Sequence, residues 1–319
     1  MRLVPQPNPF DAPGDWYRGC LHLHTAESDG SMPPERILAH YRNAYYDFVA
    51  LTDHEAVTDR SAGSTAEFLI LRGIEVGVGR AELGQPYHVV GIGVGAEYEV
   101  QRGRAPQEAI DAINASGGVA IVAHPYWSGL TAADLLALRG YAALEVFNTG
   151  CEGETGRGYS HWHWDELLTR GVLTRAVASD DSHWPVFDAL HAWTMVKAPE
   201  LSARGIVDAL RQGLFYASTG PEIRAIRLVG DGAVEVECSP VRSIALVCDP
   251  TRGGRVGVGR VEAPVGARRR RSGQGYEGLE GRPLTGATFE LRAGVRYARV
   301  VVTDERGLSA WSNPLFLAE

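Results

Sequence analysis

The chain has 319 residues, 45% of them hydrophobic, which is enough to bury a large core and suggests one large domain plus a smaller one. A formal net charge of -8 argues against nucleic acid as the main partner, because phosphate backbones are held by basic surfaces. No run of about 18 apolar residues is present to span a membrane. A small anionic or ester substrate stays open if metal ions supply local positive charge, and composition leaves the oligomeric state open.

The first residues, "MRLVPQPNPFDAPGDW", lack the basic start, apolar stretch and cleavage site of a signal peptide, and their prolines read as an extended arm. Cys20, Cys151, Cys238 and Cys248 form no Cys-x-x-Cys pair, so free thiols in a reducing cytoplasm are expected. Next comes "CLHLHTAESDG", where Leu21 and Leu23 alternate with His22 and His24. If this is a strand, both imidazoles face one side. A helical stripe of Ile37, Leu38, Tyr41, Ala44, Tyr45 and Phe48 follows Pro33 and Pro34. Strand "DFVALT" then carries Asp53 and His54 at its end.

Further strands read as "LILRGIEVGV", "YHVVGIGV", "GGVAIVA", "AALEVFN" and "VLTRAVAS", with helices near 106–115, 131–138, 163–170 and 202–211. This alternation up to about Phe215 is the order of a parallel sheet or barrel, in which chemistry sits at the C-terminal strand ends. His54, His124, Asn148 and Asp181 fall at such ends. After "FYASTGPEI" helices give way to "IRAIRLV", "AVEVECS", "SIALVCD", "TFELRA", "YARVVVTD" and "WSNPLFLAE", the pattern of an antiparallel sandwich. The boundary is expected near Gly220, giving domains 1–220 and 221–319. Residues 252–282, with Arg268 to Arg271 in a row, read as a long exposed loop.

His22, His24, Asp29, His54, Glu75, His88, His124, Asp181 and His183 form a set of nine metal-capable side chains in short clusters. Imidazoles and carboxylates suit divalent ions such as Zn, Mn and Fe, and a shared carboxylate lets two ions sit close together. A lone histidine is usually a hydrogen-bonded core or surface residue, but nine such groups in order point to a metallohydrolase.

In order, "HLHTAESDG", "LTDHE", "RGIEV", "HVVGIGV", "VAHPYW" and "ASDDSH" resemble the PHP family, named for polymerase and histidinol phosphatase domains. The resemblance covers roughly two-thirds of the chain. It implies an α/β fold, a distorted (β/α)7 TIM-like barrel, holding two or three divalent ions and hydrolysing phosphoesters. All nine residues match its ligand pattern one by one. Glu75 corresponds to the bridging carboxylate and Asp181, with His183, to the closing Asp-x-His. Asp180 is left as a second carboxylate behind the ligands or as a capping group.

"LEVFN", "ALRQGLFYASTGPEI" and "AWSNPLFL" look like PHP proteins with an immunoglobulin-like β-sandwich appendage, including carbaryl-hydrolase-like metallohydrolases. That branch opens carbamate or carboxylic ester hydrolysis as an alternative on the same metals. The expected reaction is attack by a hydroxide bridging two ions, with Glu75 and Asp181 as the central carboxylates. His161 is a candidate general acid, weighed against a solvated helix start for His161 and His163. Tyr126, Trp127 and Asn148 are candidate substrate contacts, and Trp127, Trp162, Trp164 and Trp184 could wall a pocket. Asp53 reads equally as a partner of His54 or as a turn acceptor. A non-catalytic protein stabilised by its metals is the alternative of another class.

Overall fold

The computed structural model describes residues 2–3, 6–100, 103–230, 232–250, 252–257 and 283–318. They form two compact units, one of Pro7–Ala217 and one of Met1–Gln6 with Ser218–Glu319. The short strand β1 (Arg2–Leu3) belongs to the second unit because it pairs with the last strand, Leu315–Ala318.

In the first unit the chain runs β2 (Asp15–Cys20), α1 (Pro34–Asn43), β3 (Phe48–Leu51), β4 (Leu69–Val78), β5 (Tyr87–Ile92), α2 (Pro106–Ala115) and β6 (Val119–Val122). It continues with α3 (Ala132–Leu136), β7 (Ala143–Asn148), α4 (Thr149–Thr155), α5 (His161–Thr169) and β8 (Ala176–Ser179). It ends with α6 (Pro185–Asp188), β9 (Trp193–Ala198), α7 (Ala203–Gln212) and β10 (Phe215–Ser218). The helical stripe expected to reach Phe48 stops earlier, at Asn43. Tyr45 has φ 61° and stands 88% exposed, so it turns the chain into β3.

The sheet has the order β9, β2, β3, β4, β5, β6, β7, β8. β2/β3, β3/β4, β6/β7 and β7/β8 are parallel. The parallel order is broken at β9, antiparallel to β2, and at β5, which runs antiparallel to both β4 and β6. Residues 79–86 are too few for a crossover helix, and backbone bonds from Gly84 to Ala81 and from Ala81 to Gln85 close them into a hairpin. The expected closure is not seen either, because no ladder joins β8 to β9 among the described residues. Instead the Thr194 hydroxyl accepts from Ala178 N and donates to Ala178 O.

Period-two alternation explains the packing. Along β3 and β4, Phe48, Ala50, Leu69 and Leu71 join one buried cluster with Ile206 and Leu210 of α7. Val49, Leu51 and Ile70 join another with Ile37, Leu38 and Tyr41 of α1.

The second unit is antiparallel throughout. Strands β11 (Ile223–Val229), β12 (Ala233–Val241) and β15 (Leu284–Glu290) form a three-stranded sheet. Strand β16 (Tyr297–Thr303) pairs with β13 (Ser243–Cys248), β17 (Ser309–Ser312) and β18 (Leu315–Ala318). β13 also pairs with β14 (Gly254–Gly257), so the expected loop at 252–282 begins with a strand. The run Arg268 to Arg271 lies outside the described residues. No helix among the described residues is long and apolar enough to cross a membrane.

Candidate metal centre

The paired histidines come just after β2, on extended chain tied by Asp181 N to His22 O and by His24 N to Ser182 O. Leu21 and Leu23 are fully buried on the apolar side, which sends His22 and His24, 0% and 1% exposed, to the opposite side. His54 follows β3 and bridges Glu75 of β4. His88 lies near the start of β5, opposite Gly77. Because β5 is reversed, its beginning lies at the end of the sheet where the parallel strands finish. His124, Asp181 and His183 follow β6 and β8.

Glu75 is the hub. Its Oε2 lies 3.0 Å from His22 Nε2, 3.1 Å from His24 Nε2 and 3.2 Å from His54 Nδ1. Its Oε1 lies 2.7 Å from His88 Nδ1 and 3.2 Å from His124 Nε2. Asp181 Oδ1 sits 3.0 Å from His24 Nε2 and 3.2 Å from His22 Nε2. At the mouth, Asp29 approaches His183 at 3.3 Å and His54 at 3.6 Å. All nine sequence-predicted ligands thus fall into one contiguous cluster, in overlapping groups spaced for metal ions. Cys151 joins them beside His124 and Asp181.

The donor set fits divalent cations. Glu75 Oε2, Asp181 Oδ1 and His24 Nδ1 are buried yet make no hydrogen bond, although imidazole nitrogens lie close to both carboxylate oxygens. Lone pairs that converge without hydrogen-bond geometry are what ions held in common would require. Burial alone would push the His24 pKa down. The close carboxylates of Asp181 and Glu75 outweigh it and hold the imidazole at about 9. Burial likewise opposes ionisation of Glu75, but His22, His88 and His124 keep its carboxyl well below the usual range. Asp181 is lowered against its burial by His22 and His24. In His54 burial prevails and the pKa falls. Positive charge in this pocket is therefore favourable, and cations that take the place of the imidazole protons would release those protons.

A further layer holds the cluster in place. Glu145 of β7, 1% exposed, accepts from His22 Nδ1 with Oε1 and from His124 N and Asn148 Nδ2 with Oε2, each at 2.9 Å. Asn148 Nδ2 also donates to Asp181 Oδ2 at 3.0 Å, and its Oδ1 caps α4 by accepting from Cys151 N. Ser128 Oγ partners His124 Nδ1 at 3.0 Å. His124 and Asp181 have φ of 25° and 52°, left-handed backbone that costs non-glycine residues about 1–3 kcal/mol each and tends to gather at functional sites.

Glu145, Ser128 and, as a candidate ligand, Cys151 lie outside the set of site residues that the sequence pattern marks. The signal for Glu145 was present: it is a carboxylate inside the apolar run "ALEVF", a position that is buried on both sides of a sheet.

The remaining expectations distribute unevenly. Asp180 is a buried acceptor for Tyr41 OH, Thr149 Oγ1 and the backbone N–H groups of Leu190, His191 and Ala192, so it caps a turn. Asp53 accepts from Thr25 N, Thr25 Oγ1 and Ser28 Oγ, which is the turn-acceptor role. Asn148 is fully buried and engaged with Glu145 and Asp181, so the substrate contact expected of it is replaced by a positioning one. Trp127 lines the cavity with its ring edge-on to His88 and His124. Tyr126 packs near His163 and Arg157, and His161 against Tyr159. Neither Tyr126 nor His161 is among the residues lining the cavity. His163 Nε2 donates to Leu130 O.

The cavity over the cluster is about 280 Å³ and is walled additionally by Trp184, Gly150, Cys151 and Glu154.

No family model matches the chain. An uncharacterised protein of Methanocaldococcus jannaschii is 28% identical over 117 residues, 33% of this chain and 66% of that protein, just under two thirds of its length. Among solved structures, a two-domain protein from Bacteroides vulgatus, described as containing a predicted PHP-like metal-dependent phosphoesterase, superposes with a TM-score of 0.51 at 17% identity. The match covers 94% of this chain and 95% of that one, and it shows a shared mixed α/β fold with a large, parallel-rich sheet. An amidohydrolase from Chromobacterium violaceum reaches a TM-score of 0.43 at 17% identity, covering 53% of this chain and 89% of that one.

Proposed function

We propose that this chain is a PHP-type metal-dependent hydrolase that cleaves a small phosphoester. In this reading the strands around β2 to β9 make a distorted barrel and the second unit is an immunoglobulin-like sandwich. The nine side chains expected from the sequence would hold two or three ions of Zn, Mn or Fe. The observation that carries the reading is Glu75, whose two oxygens divide five imidazoles into two sets. A structural site would need no such shared carboxylate, nor a cavity opening onto it.

Bound ions would polarise the substrate's oxygen and lower the pKa of water at the site. The chain's own groups do the rest. Glu145 orients His22 and His124, Asn148 holds Asp181, and Trp127 wedges His88 and His124 while excluding water from one wall. His161 lies outside the cavity wall, against Tyr159, and is not placed to protonate a leaving group there.

One observation favours the second reading, hydrolysis of a carbamate or carboxylic ester. None of the described residues lining the cavity is Arg or Lys, while Glu154, Trp127 and Trp184 are there. A phosphoryl group would then rely on the ions alone for its counter-charge.

The test is a panel of phosphomonoesters, phosphodiesters, carbamates and carboxylic esters, assayed with Mn and Zn on the purified chain and on His22→Ala and Asp181→Ala variants. Metal-dependent phosphate release that both substitutions abolish is expected. Turnover of carbamates alone would replace the first reading with the second, and inertness toward every ester at full metal occupancy would leave a metal-stabilised binding protein.

A further inference from the structure

We propose that Cys151 is a further metal ligand, joining His124 and Asp181 in a thiolate-bearing subsite that selects a zinc ion. The proposal rests on the metal reading above and deepens it, because it assigns an ion type to one part of the cluster.

Cys151 is 4% exposed and lines the cavity. Its Sγ lies 3.8 Å from Asp181 Oδ2, the same distance that separates His124 Nε2 from that oxygen. The three ligand atoms lie within 4.8 Å of one another. Zinc bonds of about 2.3 Å to sulfur and about 2.0–2.1 Å to nitrogen or oxygen put neighbouring tetrahedral ligands roughly 3.3–3.6 Å apart. The two 3.8 Å spacings to Asp181 Oδ2 need only a few tenths of an ångström of closure. Asp181, 6% exposed, keeps its other oxygen, Oδ1, without a hydrogen bond.

The chain also fixes the sulfur in place. Asn148 Oδ1 accepts from Cys151 N at 2.9 Å, and Gly150 N donates to Asp180 O at 2.8 Å. A Cβ on Gly150 would come within 2.7 Å of Asp181 O, so only glycine lets the first turn of α4 lie this close to the strand end that carries Asp181. The start of α4 is thereby docked against the ligand-bearing segment, with the thiol on the inner side. Ligation would break the S–H bond, send the proton to solvent and form the metal–sulfur bond. Soft thiolate favours Zn over Mn, whereas the groups around His54 and His88 offer only nitrogen and oxygen.

The bland alternative is that Cys151 only donates a weak hydrogen bond to Asp181. Cobalt titration of the metal-stripped full-length chain separates the two. The proposal expects visible ligand-field bands from cobalt together with a strong near-ultraviolet thiolate charge-transfer band. In Cys151→Ser and Cys151→Ala the near-ultraviolet band disappears while visible bands persist. Zn affinity then falls by at least about tenfold while Mn affinity holds. X-ray absorption of the zinc form should show a sulfur neighbour at about 2.3 Å. Cobalt uptake with visible bands but no thiolate band in the unaltered chain, or a band that survives Cys151→Ser, overturns the proposal and leaves the metallohydrolase reading standing. Failure to take up cobalt at all overturns both.

Discussion

Glu145 Oε1 accepts the Nδ1 hydrogen of His22 at 2.9 Å, and this pairing leaves Nε2 as the nitrogen that faces Glu75 and Asp181. A buried carboxylate that sets the tautomer of a ligating imidazole is worth about 10- to 100-fold in metal affinity. Glu145→Gln keeps the shape but can present an N–H where His22 needs an acceptor. Chelator competition should show metal affinity reduced by that factor, with the circular dichroism spectrum unchanged. Affinity equal to that of the unaltered protein would mean that the pair is only structural.

Glu75 faces both imidazole sets, so its removal should differ in kind from removal of one histidine. Glu75→Gln is expected to lower bound metal by more than one equivalent and to reduce kcat by about 10³-fold or more, since the charge that holds the ions together is gone. His88→Ala, which touches only Oε1, should cost less metal. Elemental analysis beside single-turnover assays checks the contrast.

What could be read from the sequence follows from which properties are local. The alternation Leu21, His22, Leu23, His24 shows directly that two imidazoles share a face, and β4 spans the residues of "LILRGIEVGV" because apolar residues recur along its whole length, with Arg72 and Glu75 as its only charged members. The reversal of β5 needed the length of the 79–86 connection to be weighed against a crossover, and the "HVVGIGV" pattern carries no direction of its own. Glu145 stands out as a carboxylate in an apolar run, but its role is not local, because its partners lie 123 residues away at His22 and 21 away at His124. The strand-end position of Asn148 is visible in the sequence, but what its amide touches depends on Asp181, 33 residues on. Tyr45 shows the opposite failure: it fits the helical stripe, and only the need to enter β3 turns it outward.

Gly150 gives a test of how tightly α4 is tied to the cluster. Gly150→Ala places a methyl group 2.7 Å from Asp181 O, and a backbone oxygen on a strained residue has little room to retreat. Overpacking of this kind costs about 1–3 kcal/mol. Thermal melts should register that loss, and metal affinity should fall with it because Asp181 is displaced. A variant as stable as the parent with full metal content would show that the contact is slack.

The exposed aromatic rim offers a prediction about substrate size. Trp184 lines the cavity at 60% exposure, and Val186 and Phe187 beside it are each 79% exposed. The turn that presents them is held from within by Asp188, which accepts from Ser182 Oγ, His183 N and Trp184 N. Trp184→Ala should therefore leave stability within about 0.5 kcal/mol, as for surface substitutions, while raising KM for substrates with bulky apolar groups. Small phosphomonoesters should be unaffected. Equal KM for both kinds of substrate would remove the rim from substrate recognition.

Asp180 and Asp181 are adjacent acids of one type with opposite surroundings, and this makes them the sharpest test of the site. Asp180 receives five hydrogen bonds and lies behind the cluster, so Asp180→Ala strands buried donors at about 1–3 kcal/mol for each one left unpaired, although local relaxation will recover part of the sum. Asp181 faces His22 and His24, with Oδ1 making no hydrogen bond. Asp181→Asn should abolish metal-dependent turnover and cost metal affinity while leaving the melting temperature of the metal-free chain close to that of the parent. Asp180→Ala should do the reverse, lowering the melting temperature of the metal-free chain by several degrees while the folded fraction still binds metal. Exchange of these two outcomes would move the closing carboxylate of the site from position 181 to 180.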